Sequence, residues 1–339
     1  MKTKAVIAYS NNSLNTFRLL AALQVLYGHA LDHLSISMPP LVNNVIYLFL
    51  GVPIFFTLSG YLIWGSVERS TSFRSYIKKR FWRIYPELWV AVLVELVVLL
   101  LLYKEPIDWT QFGLFAITQG TIFQFWTPDC LRGYGCGCPN GALWTICIII
   151  QFYLIVYPLY KMLHKRSIVI WIIALAVSVF ISFLTPHIRS NMPEIMGKLY
   201  GVSLLPYLWM FLIAACIEEF KEKALPFLKK YWAVFIVFAV IIQHTPYDIW
   251  SPYPLFFTVM LFLGILGAAY ALPMINIKRD ISYGIYIYHM TFINALIALG
   301  YVGNRWLLLV VVAASCLFAF ASNKTIGNWS MRMKSKYAE

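Results

Sequence analysis

One stretch of the chain, LNTFRLLAALQVLYGHALDHL at residues 14–34, sets ionisable residues into an otherwise apolar run. Arg18 and His29 are 11 residues apart. At about 100° per residue this spacing is three turns plus roughly 20°, so in a helix the two side chains share one face, about 16 Å apart along the axis. Asp32 and His33 follow His29 at i+3 and i+4 and extend that face. An imidazole is the usual general base near neutral pH. Asp32 is placed to orient it or to stabilise its cation. The plainer reading has Arg18 snorkelling to lipid phosphate at one end, with Asp32 and His33 wetted at the other. His29 lies deeper than either. A charged residue near the middle of a spanning helix costs roughly 2.5–3.5 kcal/mol, which makes an intramembrane ionisable stripe a functional-site hypothesis by default.

The elements that must position this stripe follow from composition. Of 339 residues, 61% are hydrophobic and only 12% are charged, half the share of about 25% in soluble domains. An ordinary soluble enzyme, a disordered chain and a coiled coil are thereby excluded. At about 20 apolar residues per span, the expectation is an all-α polytopic membrane protein of ten transmembrane helices. The runs are 14–34, 44–64, 84–103, 143–163, 167–185, 199–217, 231–243, 253–273, 281–299 and 306–323. A further segment, 111–126, holds Gln111, Gln119 and Gln124 and two glycines, and is read as re-entrant or peripheral. With both termini cytoplasmic, 22 of the 27 Lys and Arg residues fall inside, as the positive-inside rule requires. The net charge of +13 is therefore a topology signal rather than a sign of nucleic acid. The expected organisation is one transmembrane domain over 10–325 and a short basic cytoplasmic tail over 326–339. No removable signal peptide is read at the N-terminus.

Three further features carry potential chemistry. The inner loop RSTSFRSYIKKRFWRIYP holds Arg69, Arg74, Lys78, Lys79, Arg80 and Arg83, a candidate polyanion site or a contact to anionic lipid. The outer loop TPDCLRGYGCGCPNG holds Cys130, Cys136 and Cys138. Cys130 is free to pair with either of the others in an oxidising compartment; a zinc site is disfavoured because no histidine is near in sequence. Cys147, Cys216 and Cys316 read as packing residues within spans, and His164, His187 and His244 as solvated. Glu95 is an unexplained carboxylate within the third span, and His289 shares a helix face with Tyr286 in the ninth.

Five segments, in order, resemble the membrane-bound acyltransferase 3 family. They are Arg18–x10–His29, GVPIFFTLSGYLI at 51–63, SYIKKRFWRIYPELW at 75–89, NGALWTI with QFYLIVYP between 140 and 158, and ISYGIYIYHM at 281–290. The resemblance spans about residues 14–323. It implies a multi-pass enzyme of the cell (inner) membrane that acylates sugars and other hydroxyl acceptors. His29, Arg18 and Asp32 are then the catalytic set. Arg80 and Arg83, with Lys79 as supporting charge, contact the phosphates of acyl-coenzyme A, with acetyl as the expected acyl group. His289, Trp144 and Tyr153 are expected on the substrate side. The partners implied are acyl-CoA as donor, a glycan or lipid-linked sugar as acceptor and membrane lipid, with no metal and no nucleic acid. One departure stands out: family members carry a glutamate just before the glutamine that precedes Phe-Tyr, where this chain has Ile149 and Ile150 ahead of Gln151. Two other readings remain open here, a polytopic transporter or flippase and a non-catalytic homologue lacking that glutamate.

Overall fold

The computed structural model describes residues 12–245, 248, 252–275, 277 and 279–336. In chain order the α-helices are α1 (Leu14–His33), α2 (Pro40–Tyr47), α3 (Gly51–Glu68), α4 (Phe73–Leu102), α5 (Trp109–Gln119), α6 (Trp144–Leu163), α7 (Ile168–Phe183), α8 (Thr185–Ser190), α9 (Glu194–Gly201), α10 (Leu208–Glu219), α11 (Lys221–Gln243), α12 (Leu255–Ala271), α13 (Ser282–Ala298), α14 (Leu307–Ser322) and α15 (Asn328–Lys336). No β-strand occurs among the described residues.

Each of the ten apolar runs is largely helical, the runs 44–64 and 199–217 each crossing a break between two helices, but length and composition together qualify fewer of them as spans. Five stretches are long and apolar enough to cross a membrane: Pro40–Glu68, Phe73–Leu102, Gly141–Leu163, Lys221–Gln243 and Leu307–Met333. The pair Glu194–Gly201 and Leu205–Glu219, bent by 40°, would make a sixth. The shortfall has physical causes. α7, α12 and α13 have 16, 17 and 17 residues, about 24–26 Å at 1.5 Å per residue against a hydrocarbon core of about 30 Å. α1 is long enough at 20 residues, but its Arg, Gln, His and Asp residues lower its hydropathy. In the segment 111–126 only α5 is helical, and its 11 residues reach about 16 Å.

The chain forms two compact units. Of the described residues, the first comprises those within 12–21, 48–69 and 151–277. Its core joins Leu58 and Tyr61 of α3 to Leu261, Phe262 and Ile265 of α12, with Leu225 and Leu228 of α11. Polar ties accompany the apolar ones: the Trp64 indole donates to the Glu219 carboxylate at 2.8 Å, and His164 pairs with Glu219 at 3.0 Å. His164, expected in water, is half-buried and stacks on Tyr160 instead. His187 and His244 are exposed.

The second unit comprises residues 22–47, 70–150 and 279–339. It contains residues 22–33 of α1, all of α4 and α5, the cysteine loop, and α13 to α15. α13 is its spine, with eleven buried residues in seventeen. α13 lies close against α14 at Gly284, where a Cβ would come within 2.7 Å of the Ala319 Cβ; only glycine allows that approach. The stretch 328–336, expected as a basic tail, is helical and packs on α4, with Trp329 edge-on to Trp82 at 5.0 Å.

Candidate active site

α1 carries His29 into the second unit, where it meets His289 of α13. His29 Nδ1 lies 2.8 Å from His289 Nε2, and the two rings are nearly parallel with centroids 5.1 Å apart. On its other side, His289 Nδ1 is 2.7 Å from the Tyr286 carbonyl oxygen. A carbonyl only accepts, so Nδ1 of His289 carries the proton. A neutral imidazole has one N–H, so Nε2 of His289 accepts, and Nδ1 of His29 is the donor. This chain of bonds leaves Nε2 of neutral His29 with its lone pair free. That is the atom a general base or nucleophile needs.

His289 is fully buried, and its setting is built from the sequence motifs. The Tyr286 hydroxyl donates to the Ala142 carbonyl at 3.0 Å and lies 2.6 Å from Thr145 Oγ1. Asn140 Nδ2 donates to the Ile287 carbonyl at 2.9 Å. The segment NGALWT is thus the seat on which α13 rests. Trp144, expected at the substrate, is the half-buried first residue of α6.

The cysteine loop closes over the same end of α13. Asn294 is fully buried and holds it through three bonds. Its Oδ1 accepts from the Cys136 N–H at 2.8 Å, and its Nδ2 donates to the carbonyls of Cys138 and Pro139 at 3.0 and 2.7 Å. The loop turns through Gly135 at φ +56° and Gly137 at φ +87°, conformations that suit glycine. A Cβ on Gly135 would also overlap Asn294 Oδ1. The Cys136 thiol donates to the Cys138 carbonyl at 3.6 Å, and the His33 ring centroid is 5.8 Å from that of His29. Burial works against ionisation of Cys136, but the influence of His33 and backbone hydrogen bonds outweigh it and hold the thiol below its ordinary range. Cys138, more deeply placed against Thr127, is pushed up by burial. All six cysteines are free thiols, Cys130 among them. Among the described residues no three His, Cys, Asp or Glu side chains are grouped to hold a metal ion.

Asp32 is exposed. It acts on His29 and His33 through space, while the bonded partner of His29 is His289. Arg18 is half-buried, near the start of α1, within the first unit. Tyr153 of α6 also belongs to the first unit and is half-buried. At the far end of α13, Arg83 Nη2 is paired with Asp280 Oδ2 at 3.0 Å, and Asp280 Oδ1 caps α13 by accepting from the Ser282 N–H at 3.1 Å. The Arg80 guanidinium lies over the Tyr76 ring, 5.7 Å from its centroid. Lys79 is half-buried.

The missing glutamate has no replacement at its own position. Ile150 is buried, Ile149 half-buried, and the Gln151 amide is committed to the backbone, donating to Val202 O at 2.8 Å and accepting from Leu204 N at 2.9 Å. Glu95 of α4, by contrast, is a buried carboxyl of the second unit. Its Oε2 is 3.4 Å from Asn140 Nδ2, and its Oε1 is without a hydrogen-bond partner among the described residues.

An all-helical set of described residues with apolar helices long enough to span a membrane, and a bonded pair of a half-buried and a fully buried imidazole, marks a membrane protein. Sequence comparison gives the class its name: residues 11–323 match the acyltransferase domain of the acyltransferase 3 family, and the chain belongs to that family. Nodulation protein 10 of Rhizobium leguminosarum bv. viciae is 29% identical over 357 residues, covering 96% of this chain and 94% of that protein. An O-acetyl transferase of Shigella phage Sf6 is 25% identical over 301 residues, covering 83% and 84% respectively. No solved structure matches.

Proposed function

We propose that this protein is a membrane O-acyltransferase that moves an acetyl group from cytoplasmic acetyl-coenzyme A to a hydroxyl of a cell-surface sugar or lipid-linked glycan. The observation that carries the reading is the His29–His289 contact, which leaves Nε2 of the half-buried His29 as a free base. His29 removes the acceptor hydroxyl proton, and the alkoxide so formed attacks the acyl carbonyl. The name of the phage relative supports acetyl as the group and oxygen as the acceptor atom. Arg80, Arg83 and Lys79 bind the phosphates of the donor, a role in which Asp280 competes for Arg83. Arg18 supports the donor from the inner end of α1, and Trp144 and Tyr153 contact the acceptor. Ten crossings with both termini cytoplasmic, in the inner membrane, put the basic cluster on the side where acyl-coenzyme A is made.

The test is transfer of label from [14C]acetyl-coenzyme A to a cell-envelope polysaccharide extract by membranes containing the full chain. Transfer by wild type and its loss in His29→Ala are expected. Equal transfer by both rules out the role given to His29. Movement of a glycolipid across the bilayer with no labelling at all favours a flippase instead.

A further inference from the structure

Two buried oxygens without partners sit on one joined pair of side chains in the second unit. Glu95 of α4 and Asn140 are each 2% exposed. Glu95 Oε1 and Asn140 Oδ1 have no hydrogen-bond partner among the described residues. The two side chains already meet at their other atoms, since Asn140 Nδ2 lies 3.4 Å from Glu95 Oε2 while donating to the Ile287 carbonyl at 2.9 Å. A carbonyl only accepts, so the amide nitrogen is fixed on that side and the amide oxygen is the orphan. No basic side chain answers the carboxyl, for the ion pairs of the described residues all lie elsewhere. The titratable groups near enough to feel its charge are the Tyr134 hydroxyl and the Cys138 thiol. Neither bonds to it: the hydroxyl is itself unpartnered, and the thiol faces Thr127.

Two acceptors on joined side chains, with no donor for either, are one proton short. A buried carboxylate without a countercharge is also far more costly than a neutral acid. Resting on the acyltransferase reading above, we propose that Glu95 is a neutral acid whose Oε1–H donates to Asn140 Oδ1 while its Oε2 accepts from Asn140 Nδ2, and that this acid–amide pair positions the catalytic histidines. A protonated carboxyl and a primary amide are complementary in this way, each giving one bond and taking one. Glu95 is then a positioning residue and not a charged substitute for the glutamate replaced by Ile149 and Ile150.

Its effect passes through three contacts. Asn140, clamped by the acid, keeps its second N–H on the Ile287 carbonyl. Ile287 adjoins Tyr286, whose hydroxyl donates to Ala142 and whose carbonyl faces Nδ1 of His289. The tautomer of His289, and through it the bare Nε2 of His29, thus depends on a turn of α13 that Glu95 steadies from α4. A glutamine at 95 has the shape to make both bonds of the neutral acid, its Nε2 donating to Asn140 Oδ1 and its Oε1 accepting from Nδ2, but it carries no charge at any pH. A general base, a proton relay or a cation ligand at this place would need the charge.

The experiment uses the purified full chain in nanodiscs. Infrared difference spectra between wild type and Glu95→Gln are recorded at neutral pH, and initial rates of acetyl transfer to the polysaccharide extract are measured on the same preparations. Wild type is expected to show the carbonyl stretch of a neutral carboxylic acid, sensitive to deuterium exchange and missing from Glu95→Gln. Glu95→Ala is expected to lose kcat by about 10²-fold, the cost of misplacing a reacting group by about 1 Å, with the KM for acetyl-coenzyme A unchanged. Glu95→Gln is expected to recover most of that loss and to keep the wild-type pH–rate profile, which separates positioning from a misfolded alanine variant. A carboxylate signature at Glu95 in place of the acid band overturns the proposal. So does a Glu95→Gln as slow as Glu95→Ala, or one whose pH–rate profile has lost a limb, and so does a Glu95→Ala that transfers at the wild-type rate; each of these leaves the role of His29 standing. No transfer by wild type overturns the acyltransferase reading and the positioning role with it, while the infrared band still decides the proton.

Discussion

The bond from His29 Nδ1 to His289 Nε2 makes a quantitative demand on His289, a residue that need not touch substrate. In His289→Ala the Nδ1–H of His29 loses its acceptor at 2.8 Å, and the tautomer with a bare Nε2 is no longer enforced. A buried polar group left without its partner costs about 1–3 kcal/mol. If that cost falls on the reacting tautomer, at about 1.4 kcal/mol per tenfold the turnover drops by about 5- to 150-fold. His29→Ala removes the base itself and is expected to cost about 10²–10⁴-fold. Because the two residues act as one unit, the double variant should be no slower than His29→Ala alone. His289→Gln restores an acceptor oxygen and should recover part of the loss, separating positioning from mere filling of space. The assay is the initial rate of acetyl transfer at saturating acetyl-coenzyme A, so that kcat moves while the KM for the donor does not. A wild-type rate in His289→Ala, or single losses that multiply in the double variant, would refute the tautomer argument.

Three further outcomes follow from the same geometry. Arg80→Gln and Arg83→Gln should each raise the KM for acetyl-coenzyme A by about tenfold or more, since a hydrogen bond to a charged group contributes about 1.5–3 kcal/mol; steady-state kinetics with varied donor checks this, and an unchanged KM removes these residues from the donor site. Gly135→Ala should destabilise the protein by at least 1–2 kcal/mol through its left-handed backbone alone, with the overlap at Asn294 adding to it, seen as a lowered Tm in nanodiscs. The Cys136 thiol, held below its ordinary range by His33, should be alkylated by iodoacetamide faster than Cys138 at neutral pH. In His33→Ala the influence of His33 is lost while burial stays, so the midpoint of the alkylation pH profile should move up; an unmoved midpoint shows that His33 does not lower the thiol's pKa.

The sequence makes the helical class plain, because a charged fraction of 12% leaves no other way to satisfy so much apolar surface. It also makes the face of α1 plain, because Arg18, His29, Asp32 and His33 obey one helical period. It does not show which of those neighbours His29 bonds, because the partner lies 260 residues away. Asp32 was the natural local choice, yet it sits exposed at the end of the helix while His289 takes its place. Cys136 was legible only as a possible disulfide or metal residue. The loop that carries it is held by Asn294, and nothing in the spacing of a lone buried asparagine announces that it will grip a loop 156 residues earlier. The motifs at 140–146 and 281–290 were visible as separate matches. That Thr145 and Tyr286 are one hydrogen-bonded contact is a fact of folding, not of either segment. Likewise, Arg83 read as a contact for phosphate, and its ion pair with Asp280 at the start of α13 is a contact that spacing does not show.

That α13 is fastened at fixed positions along its length also sets a rule for exchanging parts between relatives. Ser282 is held by its cap, Tyr286 and Ile287 by the 140–145 segment, His289 by α1 and Asn294 by the cysteine loop. Inserting one residue between Ser282 and Asn294 would rotate everything beyond it by about 100° and advance it by 1.5 Å, detaching every downstream contact at once. Hybrid enzymes should therefore tolerate joins outside residues 279–298 and fail at joins within it, unless α1, the 133–145 segment and α13 are transplanted as a matched set.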